Sequence, residues 1–199
     1  MEQIKLYLRE NYHLSNYQIA QIFFLFKTIA SEISKIIIMG ILFHNHLKPY
    51  LFGLCVMVIL RSALGGLHFY TYISCLITSI LYLWFAIYIL PNITIIKLLQ
   101  LMILLFCILL CYRVGPITSK YRPPECAQHF QRSTHFACSF IFIYALILYI
   151  MPEKQYLTIG FWVIILHSLQ LLVAKIRKKG EHIKWLVIFY VLVQAFPGL

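Results

Sequence analysis

Long uninterrupted runs of apolar residues alternate with short polar segments along this chain. A helix that crosses a membrane needs about 20 mostly apolar residues, whereas the strands of a membrane barrel alternate apolar and polar positions. The runs here are continuous, so they predict helices and an all-α polytopic membrane protein. Six transmembrane helices are expected, at about 17–43, 50–64, 69–90, 95–112, 135–151 and 156–174.

Both ends of the chain add shorter elements to this predicted bundle. Residues 1–16 mix apolar side chains with Lys5, Arg9 and Glu10, a pattern typical of an amphipathic helix on the membrane surface. The apolar run 185–196 is short for a full span and fits a re-entrant or tilted segment. No cleavable signal peptide is expected, because the first apolar run lacks a small-residue cleavage site. Residues 1–199 are therefore predicted to form a single membrane domain.

Composition and charge support this interpretation and give it an orientation. Hydrophobic residues make up 62% of the chain and charged residues 12%, against about 45–50% and about 25% in soluble domains. The net charge is +11, and lysine and arginine concentrate near the N-terminus, in 113–134 and in 175–184. Basic loops stay in the cytoplasm beside anionic lipid, so we expect membrane lipid rather than nucleic acid as the partner. The same count places residues 61–68 at the cytoplasmic face.

Several classes of hydrolase are excluded by the residues that the chain lacks. It has six glutamates, no aspartate and no His-Glu-x-x-His motif, so an aspartyl dyad, a Ser-His-Asp triad and a zincin site are ruled out. Cys126, His129, His135 and Cys138 could offer two sulfurs and two nitrogens to a tetrahedral zinc ion. Their order is unusual for zinc, and the last two enter the fifth predicted span. We therefore expect no metal and no cofactor.

A histidine and a cysteine, His68 and Cys75, follow the break at Gly65 and Gly66. Cysteine attacks a carbonyl as the thiolate, and histidine is the side chain best suited to take its proton near neutral pH. On one unbroken helix the two residues would lie about 10 Å apart along the axis, whereas a base must approach to about 2.6–3.2 Å. A dyad therefore requires the backbone to leave the helix at the glycines. The residues alone leave open an interfacial histidine and a core cysteine.

The string Arg61-x3-Gly65-Gly66-x-His68-x6-Cys75 resembles the signature of the AgrB (accessory gene regulator B) family. Members of that family are membrane cysteine endopeptidases of Gram-positive bacteria that process quorum-sensing propeptides. The segment from Gly115 to Pro124 reads Gly-Pro-Ile-x4-Arg-Pro-Pro and is similar, more loosely, to the family's Ala-Pro-Val-x-Lys/Arg-Pro loop.

The resemblance implies a single membrane peptidase domain with Cys75 as the nucleophile and His68 as its general base. It also implies a set of substrate-binding or structural motif residues, namely Arg61, Gly65, Gly66, Pro116, Lys120 and Arg122. The implied substrate is an AgrD-like propeptide, cleaved through a thioester that a Cys or Ser side chain of the peptide could close into a thiolactone or lactone. A homodimer is implied as well.

Two alternatives from other classes stay open at this point, a transporter and a membrane scaffold that assembles signalling partners. The first predicted span carries Lys27, Glu32 and Lys35, and charged residues inside a span often mark a transport pathway. A non-proteolytic transporter or exporter of a peptide or small molecule could use these charges. Glu32 and Lys35 are three residues apart, so they are also expected to pair on one helix face.

Overall fold

The chain is represented by a computed structural model that describes residues 7, 9, 11, 15–66, 71–117, 127–151 and 155–179. The described residues contain six long α-helices: α1 (Asn16–Leu42), α2 (Leu47–Leu64), α3 (Tyr72–Trp84), α4 (Lys97–Val114), α5 (Ala127–Ile150) and α6 (Gln155–Lys179). A short 3-10 turn (His44–His46) links α1 to α2. A π-helical turn (Phe85–Ile89) and a 3-10 turn (Leu90–Asn92) prolong α3.

Five described segments are long and apolar enough to cross a membrane: His44–Leu64, Tyr72–Asn92, Lys97–Val114, Gln128–Ile150 and Gln155–Arg177. They correspond to the second through sixth predicted spans, so this is a helical membrane protein.

The first predicted span corresponds to α1, which is 27 residues long but carries three charged residues and does not meet the same apolar criterion. A sixth span thus stays a prediction. The predicted N-terminal amphipathic helix lies mostly outside the described residues, with 7, 9 and 11 helical, and 185–196 lies wholly outside them.

The core of the bundle lies around α6, which packs against both α2 and α4. Apolar side chains with no more than 1% of their surface exposed converge there, among them Leu60, Leu64, Leu104, Ile164 and Leu171. Helix α3 is joined to α6 by a hydrogen bond from the Tyr82 hydroxyl to the Val163 carbonyl. This packing fixes the end of α2 and the C-terminal part of α3 relative to α6.

Three segments that are distant in sequence meet at one end of this bundle. The Ile117 N–H donates to the Leu64 carbonyl at 2.9 Å, and Gly65 and Ile117 form a parallel β-bridge. The Lys175 ammonium of α6 donates to the Arg113 carbonyl at the end of α4, also at 2.9 Å. The charge pattern had placed these segments on one face of the membrane, and the structure confirms that they share an end.

Helix boundaries differ from the sequence prediction at several ends. Helix α3 begins at Tyr72 rather than near residue 69, because Thr71 is extended (φ −108°, ψ 144°) and its hydroxyl accepts a hydrogen bond from the Ser74 N–H. Helix α5 begins at Ala127 rather than 135, and α6 continues to Lys179 rather than ending at 174. In both cases the extension is polar and rich in good helix formers, which hydropathy alone does not register.

Candidate active site

Cys75 lies in the first turn of α3, at the fourth residue of the helix. Its N–H donates to the Thr71 carbonyl at 3.3 Å, and the backbone N–H groups of this turn form the positive end of the helix dipole. An anion is stabilised at such a position. The sequence had placed the start of this helix three residues earlier, with Cys75 deeper inside it.

Two cationic side chains contact the thiol of Cys75. The Lys35 ammonium, from α1, lies 3.5 Å from the Cys75 sulfur, and the nearest guanidinium nitrogen of Arg61, from the last turn of α2, lies 3.9 Å from it. Three helices therefore converge on this sulfur. A thiolate formed here would have two positive charges beside it, and cationic surroundings of this kind are typical of reactive cysteines.

Lys35 is buried and fixed in place by its neighbours. Only 6% of its surface is exposed, and its ammonium donates to a Glu32 carboxylate oxygen at 2.7 Å. The ammonium also lies 5.6 Å from the centre of the Tyr72 ring, whose hydroxyl is hydrogen-bonded to Ser34 at 2.8 Å. The predicted pairing of Glu32 with Lys35 is confirmed. The contact between Lys35 and Cys75, which are 40 residues apart, could not be predicted from the sequence.

A small pocket opens beside the sulfur. Its lining combines polar and apolar side chains, namely Met57, Arg61, Cys75, Thr78, Ser79, Tyr82 and Gln170. The Ser79 and Thr78 hydroxyls already donate to backbone carbonyls, at 2.9 and 2.8 Å. That leaves Arg61 and Gln170 to offer hydrogen bonds to a bound group. Gln170 was not predicted from the sequence, because nothing in an apolar helical run distinguishes one glutamine from another polar residue.

The structure places part of the predicted motif together. Gly65, which ends α2 with φ +75°, pairs with Ile117, the residue after Pro116, so the two motif segments are in contact. Gly66 is buried beside Gln170. The predicted departure from helix after residue 64 is confirmed, because α2 ends at Leu64 and α3 starts seven residues after Gly65.

Three predicted site residues, His68, Lys120 and Arg122, lie outside the described residues. The dyad of His68 and Cys75 therefore stays a prediction.

The candidate zinc ligands are dispersed over the surface of α5 as far as they are described. His129 and His135 are exposed and Cys138 is half-buried, while Cys126 lies outside the described residues. Within the described ranges, no three His, Cys, Asp or Glu side chains come close enough together to hold a metal ion.

The charges of α1 do not act as one group. Lys27 is exposed, whereas Lys35 is buried against Cys75 and paired with Glu32. A transport pathway along α1 would require its charges to line a common route. In the structure the Lys35 ammonium instead contacts the Cys75 sulfur.

Comparison with known proteins gives a family match over most of the chain. A model of the family described as accessory gene regulator B matches residues 1–171, which include both motif segments. A curated protein of Clostridium beijerinckii described as "Putative AgrB-like protein" is 38% identical over 82 residues. That match covers 40% of this chain and 41% of the relative, so the chain spans about two fifths of the relative's length. No solved structure matches.

Proposed function

The chain belongs to the accessory gene regulator B family, and from this membership we propose that it is a membrane-embedded cysteine endopeptidase. Its substrate would be a small, amphipathic AgrD-like propeptide of a quorum-sensing system, cleaved at the cytoplasmic face. The observation that carries the proposal is the environment of Cys75. Its thiol lies in the first turn of a helix, beside two cations and a pocket.

The proposed first half-reaction is acyl transfer to Cys75. His68 takes the thiol proton, and the thiolate attacks the scissile carbonyl. The tetrahedral intermediate collapses to a thioester, and the C–N bond breaks. The departing amine receives the proton that His68 holds. Arg61 and Gln170, which line the pocket, would hydrogen-bond the peptide near the scissile bond.

The proposed second half-reaction closes a ring. A Cys or Ser side chain within the bound peptide gives its proton to His68 and attacks the thioester carbonyl. The C–S bond to Cys75 breaks, which releases the Cys75 thiolate and leaves a thiolactone or lactone, and His68 then returns the proton to the Cys75 sulfur. Ring closure exceeds hydrolysis only if water is kept away from the thioester. The half-buried position of Cys75, with side chains of α1 and α2 against its sulfur, favours that exclusion. A homodimer surrounded by membrane lipid is the proposed working form.

The test is cleavage of the propeptide in lipid vesicles. The substrate is the product of a short neighbouring reading frame with an amphipathic start, a central Cys or Ser and an acidic tail. We expect Cys75→Ala to abolish cleavage and Cys75→Ser to impair it severely, because a hydroxyl is a weak nucleophile at neutral pH. We expect His68→Ala to reduce cleavage strongly as well.

The matched control is Cys55→Ala, since Cys55 is exposed on α2 and lies in the same type of helix. Cys107→Ala and Cys111→Ala, at buried positions of α4, should also retain cleavage. Cleavage at a near wild-type rate by Cys75→Ala would refute the proposal. Accumulation of a hydroxylamine-sensitive propeptide adduct that requires Cys75 would support the thioester.

A further inference from the structure

We propose that Lys35 is a further catalytic residue of this site, and that its ammonium stabilises the thiolate of Cys75. The inference rests on the proposed function, in which Cys75 is the nucleophile. It is carried by the contact between the Lys35 ammonium and the Cys75 sulfur at 3.5 Å. Lys35 lies on α1, outside the Arg-Gly-Gly-His-Cys string.

A purely structural role does not explain the buried position of Lys35. A lysine on a helix normally extends its ammonium toward water or lipid headgroups, because burial of the charge is costly. Glu32, its partner, has a side chain that is 58% exposed, so the pair could form at the surface. Lys35 instead has only 7% of its side chain exposed, and its ammonium reaches inward to the sulfur of another helix.

The charges around the sulfur determine what the ammonium can do there. The groups that face Cys75 or its cations, on every helix packed against α3, are Glu32 and Lys35 on α1, Arg61 on α2, Tyr72 and Tyr82 on α3, and His167 on α6. Glu32 is the one carboxylate in this set. It partly compensates Lys35, and Arg61 supplies the second positive charge.

The proton and charge balance assigns Lys35 an electrostatic role. The thiol proton leaves to His68, and Lys35 keeps its own proton throughout. In the thioester the sulfur is neutral, and the ammonium remains paired with Glu32. When the ring closes, the thiolate leaves and again gains the ammonium as a partner. Lys35 therefore assists at both ends of the cycle, because a stabilised thiolate is a better leaving group.

The expected size of the effect follows from how thiolates react. Each tenfold gain in the thiolate fraction is offset by a loss of nucleophilicity with a Brønsted coefficient of about 0.4–0.5, so the net gain in attack rate is about threefold. Removal of Lys35 leaves Arg61 in place. We therefore expect a loss of about 3- to 10-fold in the reactivity of Cys75 at neutral pH.

The experiment measures alkylation of Cys75 in the full chain in lipid vesicles, with iodoacetamide as the probe and mass spectrometry of the Cys75 peptide as the readout. Rates are recorded from about pH 6 to pH 10. We expect Lys35→Met to move the profile to higher pH without lowering its high-pH plateau, and Lys35→Arg to stay near the wild-type profile. Lys27→Met, an exposed lysine on the same helix, is the matched control and should leave the profile unchanged.

A second variant acts in the opposite direction and does not remove the buried lysine. Glu32→Gln frees the ammonium from its carboxylate, so the alkylation profile should move to lower pH. A merely structural role for Lys35 would change the plateau through access to the thiol and would leave the position of the profile unchanged. Superimposable profiles for wild type, Lys35→Met and Glu32→Gln would overturn the inference.

Failure of this inference can be distinguished from failure of the proposed function. If Cys75→Ala is inactive on the propeptide while the Lys35→Met alkylation profile equals that of the wild type, the peptidase proposal stands and the role of Lys35 is refuted. If Cys75→Ala still cleaves the propeptide, the proposed function is refuted, and a catalytic role for Lys35 is refuted with it.

Discussion

Substitution of Gly65 by alanine tests the junction between α2 and the motif. Gly65 has φ +75° and ψ −148°, a backbone conformation that is almost restricted to glycine. A Cβ atom added there would lie 2.5 Å from the Ile117 carbonyl oxygen, which belongs to backbone and cannot rotate away. The substitution therefore has two separate costs, which are strain at the positive φ and separation of Ile117 from Gly65 by the colliding Cβ.

The free-energy cost of Gly65→Ala follows from the backbone strain and from the lost contact with Ile117. Strain at such a φ/ψ pair costs about 1–3 kcal/mol. Separation of the segments loses the hydrogen bond from the Ile117 N–H to the Leu64 carbonyl, worth about 1 kcal/mol. Gly65→Ala should therefore destabilise the junction by about 2–4 kcal/mol, or more than tenfold in its equilibrium constant. Propeptide cleavage should fall with it.

The assay compares thermal unfolding in detergent with propeptide cleavage for three glycine variants. Gly40→Ala is the control, because an added Cβ in this helix would meet only the Tyr50 ring, at 3.9 Å. Gly66→Ala should also keep its thermal stability, since its added Cβ would lie 3.8 Å from the nearest atom, the Gln170 amide nitrogen. Loss of cleavage by Gly66→Ala at unchanged stability would then report close approach of the peptide. A Gly65→Ala protein as stable and active as Gly40→Ala would refute the reasoning.

Two further predictions concern the loop after α4 and the orientation of the bundle. Gly115 has φ +69°, and an added Cβ would collide with the Phe130 ring, so Gly115→Ala should lower the unfolding temperature. In a Phe130→Ala background the collision is removed, and only the part of the loss that it causes should be recovered. Full recovery would show that the backbone strain at residue 115 is negligible. Single cysteines at 92–94 should react with an impermeant thiol reagent in intact cells, whereas those at 117–121 and 178–180 should be protected, and the reverse pattern would place the site at the outer face.

The sequence was sufficient to predict those features of the structure that a local pattern of residues determines. The break after Leu64 was predicted from two consecutive glycines, and the pairing of Glu32 with Lys35 from their spacing on a helix. Both depend on residues within one or two helical turns. The start of α5 at Ala127 was not predicted, because hydropathy marks the part of a helix that faces lipid rather than the residue at which the helix begins.

The composition of the site could not be predicted from the sequence in the same way. The contact of Lys35 with Cys75 joins residues 40 positions apart, and Gln170 reaches the same pocket from the last described helix. Both depend on how α1, α3 and α6 are rotated about their axes, and apolar side chains on nearly every face of these helices leave that rotation undetermined by pattern. Lys35 and Gln170 could be assigned to the site only from the way the helices pack in the structure.

The bridge between Gly65 and Ile117 also has a mechanical consequence. It joins, by the hydrogen bond that Ile117 donates to Leu64, two stretches of chain more than 50 residues apart. A pull on either stretch must therefore break that bond or carry the other stretch along. One leads in sequence toward His68 and the other toward Lys120, so a displacement of either stretch is coupled to the other through this bond.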